Sequence, residues 1–299
     1  MVEVVPAIIA KSFEELKKKI KLVEPYVSWV QLDVMDGKFA PEVTWPYFEH
    51  NCHPELVSGS MKMLKQVRHD NIKEDISRLA TTLNFEAHLM VERPENEIDR
   101  WLDSGIKRIL VHYEAIKDDL RDKIYDLRKK CDEKGVEFGI ALNLETPIDV
   151  LGEICRCESA DRRAKQSRGI TARLLRRFSP CNDNGVIGVV QLMSIVQIGY
   201  HGEPFDGKVI PKIRALKEGY PCVKIAVDGG INKETAKMTL NAGADILVVT
   251  KPYFVILNEV KNLLRMQEIK LLFSNKLRDS SGFTLRMTVL KPSHNKNQE

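Results

Sequence analysis

The sequence lacks the segments that mark membrane and secreted proteins. No apolar run in its 299 residues approaches the roughly 18 that a membrane-spanning helix needs. The first residues, MVEVVPAIIAKSFEEL, have neither a basic start nor a long apolar stretch, so we expect no signal peptide. The six cysteines are irregularly spaced, which does not indicate a disulfide framework. These absences favour a reducing cytoplasm and no membrane partner.

The chain also lacks an evenly distributed basic charge. The formal net charge is +4, but residues 156–177 alone hold eight Lys and Arg against two acids, a balance of +6. Everything outside that segment therefore sums to −2. Because the excess belongs to one segment and not to a surface of the whole fold, we do not expect nucleic acid as a partner.

Apolar runs of strand length alternate with segments of helical period along most of the chain. Apolar residues recur at three- and four-residue spacing in the helical segments, several of which end in glycine. Eight strands, each followed by a helix, predict a single-domain α/β protein built as a (β/α)8 TIM barrel. The predicted strands are residues 2–9, 29–35, 85–91, 108–115, 137–144, 188–196, 223–230 and 244–250.

A glycine-rich phosphate loop is missing after the first strand. A doubly wound open sheet, the alternative to a barrel, would want such a loop at this point, and PAIIAKSF (6–13) has none. Residues 50–76 and 155–184 interrupt the alternation and exceed ordinary loop lengths. We therefore predict a barrel over residues 1–254 with these two insertions, and a C-terminal helix and poorly structured tail over 255–299.

The stretch WVQLDVMDGKF (29–39) carries polar residues inside a strand that should enter the core. Gln31 and Asp33 are two apart, so both side chains point to one face. An unpaired buried carboxylate is costly, and a metal or a substrate would offset that cost. His88 and Asp228 lie on the third and seventh strands, so the acids should face each other across the barrel mouth. This arrangement suits a proton removed from one face of a carbon and returned to the other.

At these strand ends the sequence resembles the ribulose-phosphate 3-epimerase family. The motifs are LDVMDG (32–37), HLMV (88–91) and VDGG (227–230), which occur in that order. The resemblance continues through most of the predicted barrel and is interrupted by the two insertions. Each motif alone is a weak signal, whereas the three together are specific.

The resemblance implies metal-dependent epimerisation at C3 of a ketose phosphate, most simply D-ribulose 5-phosphate to D-xylulose 5-phosphate, through an enediolate. It assigns Asp33 and Asp228 as the catalytic base and acid. It assigns Gln31, Asp33, His88 and Asp228 as ligands of a divalent cation, with Mn, Fe, Mg, Co and Zn left open. It implies substrate contacts at Ala7, Met35, His88, Gly199, Tyr200, His201, Gly202, Gly229, Gly230, Thr250 and Lys251.

Several positions depart from the pattern of that family. The family has His where Gln31 stands, Ser where Ala7 stands, GFGG where GYHG (199–202) stands, and Gly-Ser in place of Thr250-Lys251. These changes leave two alternatives open. One is an epimerase or isomerase of another sugar phosphate, such as a hexulose 6-phosphate, and the other is an inactive barrel that only binds a ligand or partner. The oligomeric state, including a homo-oligomer, also stays open.

Three further polar residues have simpler interpretations. Asp36 is interpreted as a turn residue. His112 and Glu114, on the predicted fourth strand, are interpreted as structural hydrogen-bonding residues near the mouth of the barrel.

Overall fold

The protein is a closed eight-stranded barrel. The computed structural model describes residues 2–48, 71–152, 154, 187–200 and 202–250. Each strand pairs in parallel with the next, and the last pairs with the first. This topology confirms the predicted (β/α)8 barrel. The strands are β1 (Glu3–Ile8), β2 (Trp29–Met35), β3 (Asn84–Met90), β4 (Arg108–His112), β5 (Glu137–Leu142), β6 (Val189–Met193), β7 (Lys224–Asp228) and β8 (Ile246–Val249).

Helices follow the strands, as the periodicity predicts. Ser12 caps the first by accepting a hydrogen bond from the backbone N–H of Glu15, which satisfies one of the free donors of a helix start. Residues 150–152 and 154 are also helical. The α-helices with described bounds are α1 (Phe13–Val23), α2 (Ile72–Arg78), α3 (Ile98–Leu102), α4 (Tyr113–Ile116), α5 (Leu120–Lys134), α6 (Val209–Gly219) and α7 (Lys233–Ala242).

The predicted strand over residues 108–115 is too long. Its last residues, from Tyr113 onward, begin α4. The carboxylate of Glu114 accepts hydrogen bonds from the backbone N–H of Asn143 and the hydroxyl of Thr146. These bonds draw the segment onto the loop after β5, so β4 stops at the barrel mouth.

Helix α2 overlaps the insertion predicted over residues 50–76. Asn71 caps this helix, and Ile72 and Ile76 bury their side chains. The spacing of these two isoleucines is typical of a helix face, so the barrel resumes before the predicted boundary. Residues 49–70, 155–186 and 251–299 lie outside the described residues, so the remaining insertions and the tail stay predictions.

A buried ion cluster fills the end of the barrel opposite the carboxyl ends of the strands. Arg108, at the start of β4, donates from Nη1 to Glu86 Oε2 at 2.6 Å and from Nε to Glu137 Oε2 at 2.7 Å. Its guanidinium carbon lies 4.4 Å from the centroid of the Trp29 ring. A buried charge is tolerated only when it is paired, so this cluster is structural and lies far from the mouth.

Two findings concern the helices and the cysteines. Among the described residues, no helix combines the length and the apolar character needed to cross a bilayer. Cys131 is a buried free thiol, whereas Cys222 is disulfide-bonded. The irregular cysteine spacing did not predict the bond at Cys222.

Candidate active site

Three residues from separate strands converge at the carboxyl ends of the barrel strands. β2 supplies Asp33, β3 supplies His88 and β7 supplies Asp228, and all three side chains are buried. One potential ligand atom from each lies within 4.8 Å of the others. The expected proximity of the two acids and the histidine is therefore present. Their catalytic roles stay predictions.

The side-chain amide of Gln31 forms hydrogen bonds with both acids. Its Nε2 donates to Asp33 Oδ1 and to Asp228 Oδ2, each at 2.8 Å, and lies 3.2 Å from His88 Nδ1. The side chain is fully buried. Its Oε1 accepts no hydrogen bond from any described residue. In this arrangement the amide hydrogens occupy the place between the carboxylates where a positive charge would be most favourable.

A second amide, which the sequence reasoning missed, reaches the same point from β6. Gln191 is fully buried, and its Nε2 donates to Asp228 Oδ2 at 2.9 Å and lies 3.3 Å from His88 Nδ1. Its Oε1 also lacks a described hydrogen-bond partner. A polar residue in the middle of the apolar run GVVQLM (188–193) was the available signal, of the same kind as Gln31 in WVQLDVM.

A hydrogen-bonded chain leads from His88 to Glu114. His88 Nε2 lies 2.9 Å from His112 Nε2, and His112 Nδ1 lies 3.2 Å from Glu114 Oε2. Glu114 accepts further hydrogen bonds from Thr146 and Asn143. The interpretation of His112 and Glu114 as hydrogen-bonding residues agrees with these contacts, and the contacts tie both residues to the site.

The charge states of Glu114 and His112 follow from their burial and from their hydrogen-bond partners. Burial alone would raise the pKa of Glu114, but hydrogen bonds from His112, Thr146 and Asn143 outweigh burial and lower it to about 2. Burial lowers the pKa of His112. Glu114 is therefore an anion facing a neutral imidazole at neutral pH.

The pKa values of Asp228 and His88 are both raised in this site. Burial and the charge of Asp33 raise the pKa of Asp228 to about 7. Burial would lower the pKa of His88, but the carboxylates of Asp33 and Asp228 outweigh it and raise that pKa. Two buried carboxylates so close together cannot both stay ionised without a compensating cation. The site therefore favours binding of either protons or a metal ion.

The donor set fits a divalent cation. Asp33 and Asp228 supply carboxylate oxygens, His88 supplies an imidazole nitrogen, and the two buried glutamines have Oε1 atoms that no described donor uses. A ligand set of carboxylate and amide oxygens with one imidazole suits manganese, iron(II) or magnesium. A ligand set rich in thiolates would suit these ions less well.

A cavity of about 770 Å³ opens above these residues. Most of the described residues predicted to contact substrate line its wall, together with Asp33 and Asp228: His88, Gly199, Tyr200, Gly202, Gly229, Gly230 and Thr250. His201 and Lys251 lie outside the described residues. The cavity therefore brings the predicted acid pair and the predicted substrate loop to one place.

Two predicted substrate residues are not on this wall. Ala7 packs in the apolar core with Leu110 and Val189. Met35 packs beneath the loop with Ala40 and Met90. Both side chains are almost completely buried, and Met35 is covered because residues 36–48 fold back across the end of β2. Neither residue lines the cavity, and the contact of Ala7 and Met35 with substrate stays a prediction. Asp36 accepts from the backbone N–H groups that follow it, as a turn residue does.

The wall at β7 and α7 contains residues that the sequence reasoning did not assign. Asn232 and Thr235 both line the cavity and form a reciprocal capping box at the start of α7. The pattern INKET after VDGG was the available signal. A helix start carries a partial positive charge, which favours an anion at this side of the cavity.

The sequence is similar to known proteins of one family. Residues 60–157 and 184–254, more than half of the chain, match the model of the ribulose-phosphate 3 epimerase family. The ribulose-phosphate 3-epimerase of Eremothecium gossypii is 28% identical over 252 residues, which span 84% of this chain and 85% of that protein. The Bacillus subtilis ribulose-phosphate 3-epimerase is 28% identical over 254 residues, or 83% of this chain and 90% of the relative.

Solved structures share the fold at lower sequence identity. The 3-keto-L-gulonate-6-phosphate decarboxylase of Vibrio cholerae superposes with a TM-score of 0.53 at 10% identity, covering 87% of this chain and 96% of that one. The tryptophan synthase complex of Pyrococcus furiosus gives a TM-score of 0.50 at 14% identity, covering 88% and 99% respectively. At these identities the likeness concerns the barrel alone.

Proposed function

Because this chain belongs to the ribulose-phosphate 3-epimerase family, we propose that it is an isomerase that inverts C3 of a ketose phosphate. D-Ribulose 5-phosphate and D-xylulose 5-phosphate are the simplest substrate pair. The observation that carries the proposal is the convergence of Asp33 and Asp228, from β2 and β7, on one buried point under the cavity.

Inversion needs one group that removes a proton and another that returns it on the opposite face. We assign these roles to Asp33 and Asp228. One carboxylate takes the C3 proton, the C–H electron pair becomes the C2–C3 double bond, and the carbonyl electrons move to O2. The other carboxyl group then protonates C3 from the opposite side and the carbonyl re-forms. In the reverse direction the two acids exchange roles.

Asp33, His88 and Asp228, with Gln31, would hold a divalent cation in this site. Such an ion supplies positive charge that stabilises the developing enediolate. In the absence of the cation, Gln31 positions both acids by hydrogen bonds at 2.8 Å, so their carboxylates are directed at the same point. Both carboxylates are largely buried and only slightly exposed to the cavity, which strengthens the charge interactions within the site.

The phosphate end of the substrate would lie against β7 and α7. Gly229 and Gly230 line the cavity beside the helix start, and Gly202 lines it across the loop after β6. Glycines allow the phosphate to approach the backbone closely, and the helix start favours its charge. We keep Thr250 as a further contact. A cytoplasmic role in the pentose phosphate pathway stays a prediction, as do Lys251, His201 and a homo-oligomeric state.

The test is exchange of the C3 hydrogen in deuterated water. The purified protein, supplied in turn with Mn, Fe(II), Co, Zn and Mg, should incorporate deuterium at C3 of ribulose 5-phosphate and form xylulose 5-phosphate. Asp33→Asn and Asp228→Asn should each reduce conversion by at least about 100-fold, the lower range for a lost general base. Asp103→Asn, which removes an exposed carboxylate paired with Lys134, is the matched control.

The alternative functions predict different results. Exchange with a hexulose 6-phosphate but not with ribulose 5-phosphate would assign another sugar phosphate to the same site. Absence of exchange with both substrates under every metal would identify an inactive barrel.

A further inference from the structure

Gln191 has no packing reason to be where it is. It lies in the middle of β6 with a fully buried side chain. The interior of such barrels is ordinarily filled by branched apolar residues. A buried amide without full hydrogen bonding is costly, and Gln191 Oε1 has no described partner. An apolar side chain would give a more stable strand, so the amide must serve another purpose.

The Nε2 end of the same amide lies beside the candidate metal site. The amide of Gln191 contacts Asp228 Oδ2 at 2.9 Å and approaches His88 Nδ1 at 3.3 Å. The amide of Gln31 contacts the same Asp228 oxygen at 2.8 Å. Two amides from strands on different sides of the barrel therefore converge on one carboxylate oxygen.

A cation would reverse the preferred orientation of these amides. Without it, the NH2 groups face the carboxylates, because hydrogen bonds to charged oxygens are strong. With it, an amide must present its oxygen. Rotation about the last side-chain torsion exchanges Oε1 and Nε2, and that torsion is soft. Neither Oε1 accepts a described hydrogen bond, so the rotation breaks none on that side.

We infer that Gln191 is a fifth ligand of the divalent cation and acts as the counterpart of Gln31. This inference rests on the metal-dependent function proposed above. The complete set would be four oxygen donors, from Gln31, Asp33, Gln191 and Asp228, and one nitrogen donor, from His88. Such a set favours manganese, magnesium or iron(II), which accept five or six ligands, over zinc, which prefers four with nitrogen or sulfur.

The test uses Mn²⁺ alone, measured by calorimetry and by the electron paramagnetic resonance signal of free Mn²⁺. Gln191→Leu should weaken Mn²⁺ binding by at least about 10-fold, the lower limit for loss of an outer-sphere partner. Gln191→Glu, which keeps an oxygen at the same length, should retain binding. Gln197→Leu makes the same substitution at an exposed position after β6 and should leave binding unchanged.

The outcomes separate the two proposals. If wild type binds Mn²⁺ and Gln191→Leu binds it equally well, Gln191 is not a ligand, while the proposed function stands. If wild type binds neither Mn²⁺ nor another divalent cation, the metal-dependent function itself is overturned. Should Gln191→Leu fail to fold, Gln191→Glu and Gln191→Met carry the comparison, because a thioether cannot replace an oxygen donor for Mn²⁺.

Discussion

His88 Nε2 and His112 Nε2 lie 2.9 Å apart, and this contact fixes which nitrogen of His88 faces the site. Glu114 is ionised, so His112 carries its proton on Nδ1 and donates a hydrogen bond from there to Glu114. His112 Nε2 must then accept, which places the proton of a neutral His88 on Nε2. The remaining lone pair of His88, on Nδ1, is directed at Asp33 and Asp228 and is available to a cation.

The first prediction concerns this relay. Glu114→Gln removes the anion that orients His112, so His88 loses its preferred tautomer. Mn²⁺ affinity should fall by about 10- to 100-fold, as for other outer-sphere partners of a ligating histidine. Glu145→Gln, at an exposed residue paired with Lys208, is the control. Equal Mn²⁺ affinity in both variants would show that the chain from His88 to Glu114 is only structural.

The second prediction concerns the ligand from β2. Gln31→His replaces an amide oxygen with an imidazole nitrogen, a better ligand for zinc. The purified variant should contain more zinc than wild type, and its C3 exchange should be faster. Elemental analysis of both proteins, together with the exchange assay, measures this. If neither the zinc content nor the exchange rate changes, Gln31 does not ligate the cation and only holds the acids in place.

Much of this arrangement follows from the sequence, for identifiable reasons. Gln31, Asp33 and Asp228 were recognisable because polar residues interrupt apolar strands or precede glycines at strand ends. Parallel strands bring such residues to one edge. Gln191 also interrupts an apolar strand, but the sequence reasoning assigned a role only to the loop that follows this strand. The sequence could not predict that Met35 would be covered, because that depends on how residues 36–48 fold back.

The third prediction concerns pH dependence without metal. The folded-state pKa of Asp228 is about 7, above the roughly 3.9 of an unfolded aspartate. The folded protein therefore binds a proton that the unfolded chain lacks, and its stability falls as pH rises from about 4 to 7. The raised pKa of His88 acts in the same direction above about pH 6.5, while the lowered pKa of His112 acts oppositely below that pH.

Thermal midpoints measured with a chelator between pH 5 and pH 8 check this. Wild type should lose stability toward pH 8, and Asp228→Asn should lose less, because an amide does not titrate. Added Mn²⁺ should raise the wild-type midpoint most at the higher pH, where no proton competes for Asp228. A wild-type midpoint that climbs steadily toward pH 8 without metal would contradict the raised pKa.

The fourth prediction concerns the opposite end of the barrel. Arg108→Met leaves the buried carboxylate of Glu86 without its cation. Breaking such a pair costs about 3–5 kcal/mol, on the order of 10 °C in the thermal midpoint for a chain of this size. Arg108→Met combined with Glu86→Leu should recover part of that loss. Lys130→Met, which breaks an exposed pair with Asp99, should cost less than about 1 kcal/mol. Equal losses in both single variants would refute this account.

The fifth prediction concerns the wall of the cavity. Gly230 has a φ of 61°, and a Cβ there would lie 2.5 Å from the backbone nitrogen of Phe205. Both residues line the cavity. Since a backbone atom cannot move aside cheaply, Gly230→Ala should displace the Phe205 segment. We expect a lower thermal midpoint and a higher KM for the sugar phosphate.

Two other glycines separate steric clash from backbone strain. Gly202 also has a positive φ, of 81°, but no described atom lies within 4 Å of its added Cβ, whereas Gly207 has neither constraint. Gly202→Ala should therefore cost only the strain of about 1–2 kcal/mol, and Gly207→Ala should cost almost nothing. Gly230→Ala should exceed both in loss of midpoint, because it adds the clash with Phe205 to the same strain. If Gly230→Ala is no more damaging than Gly202→Ala, the segment at Phe205 yields easily, and its contact with Gly230 does not shape the cavity.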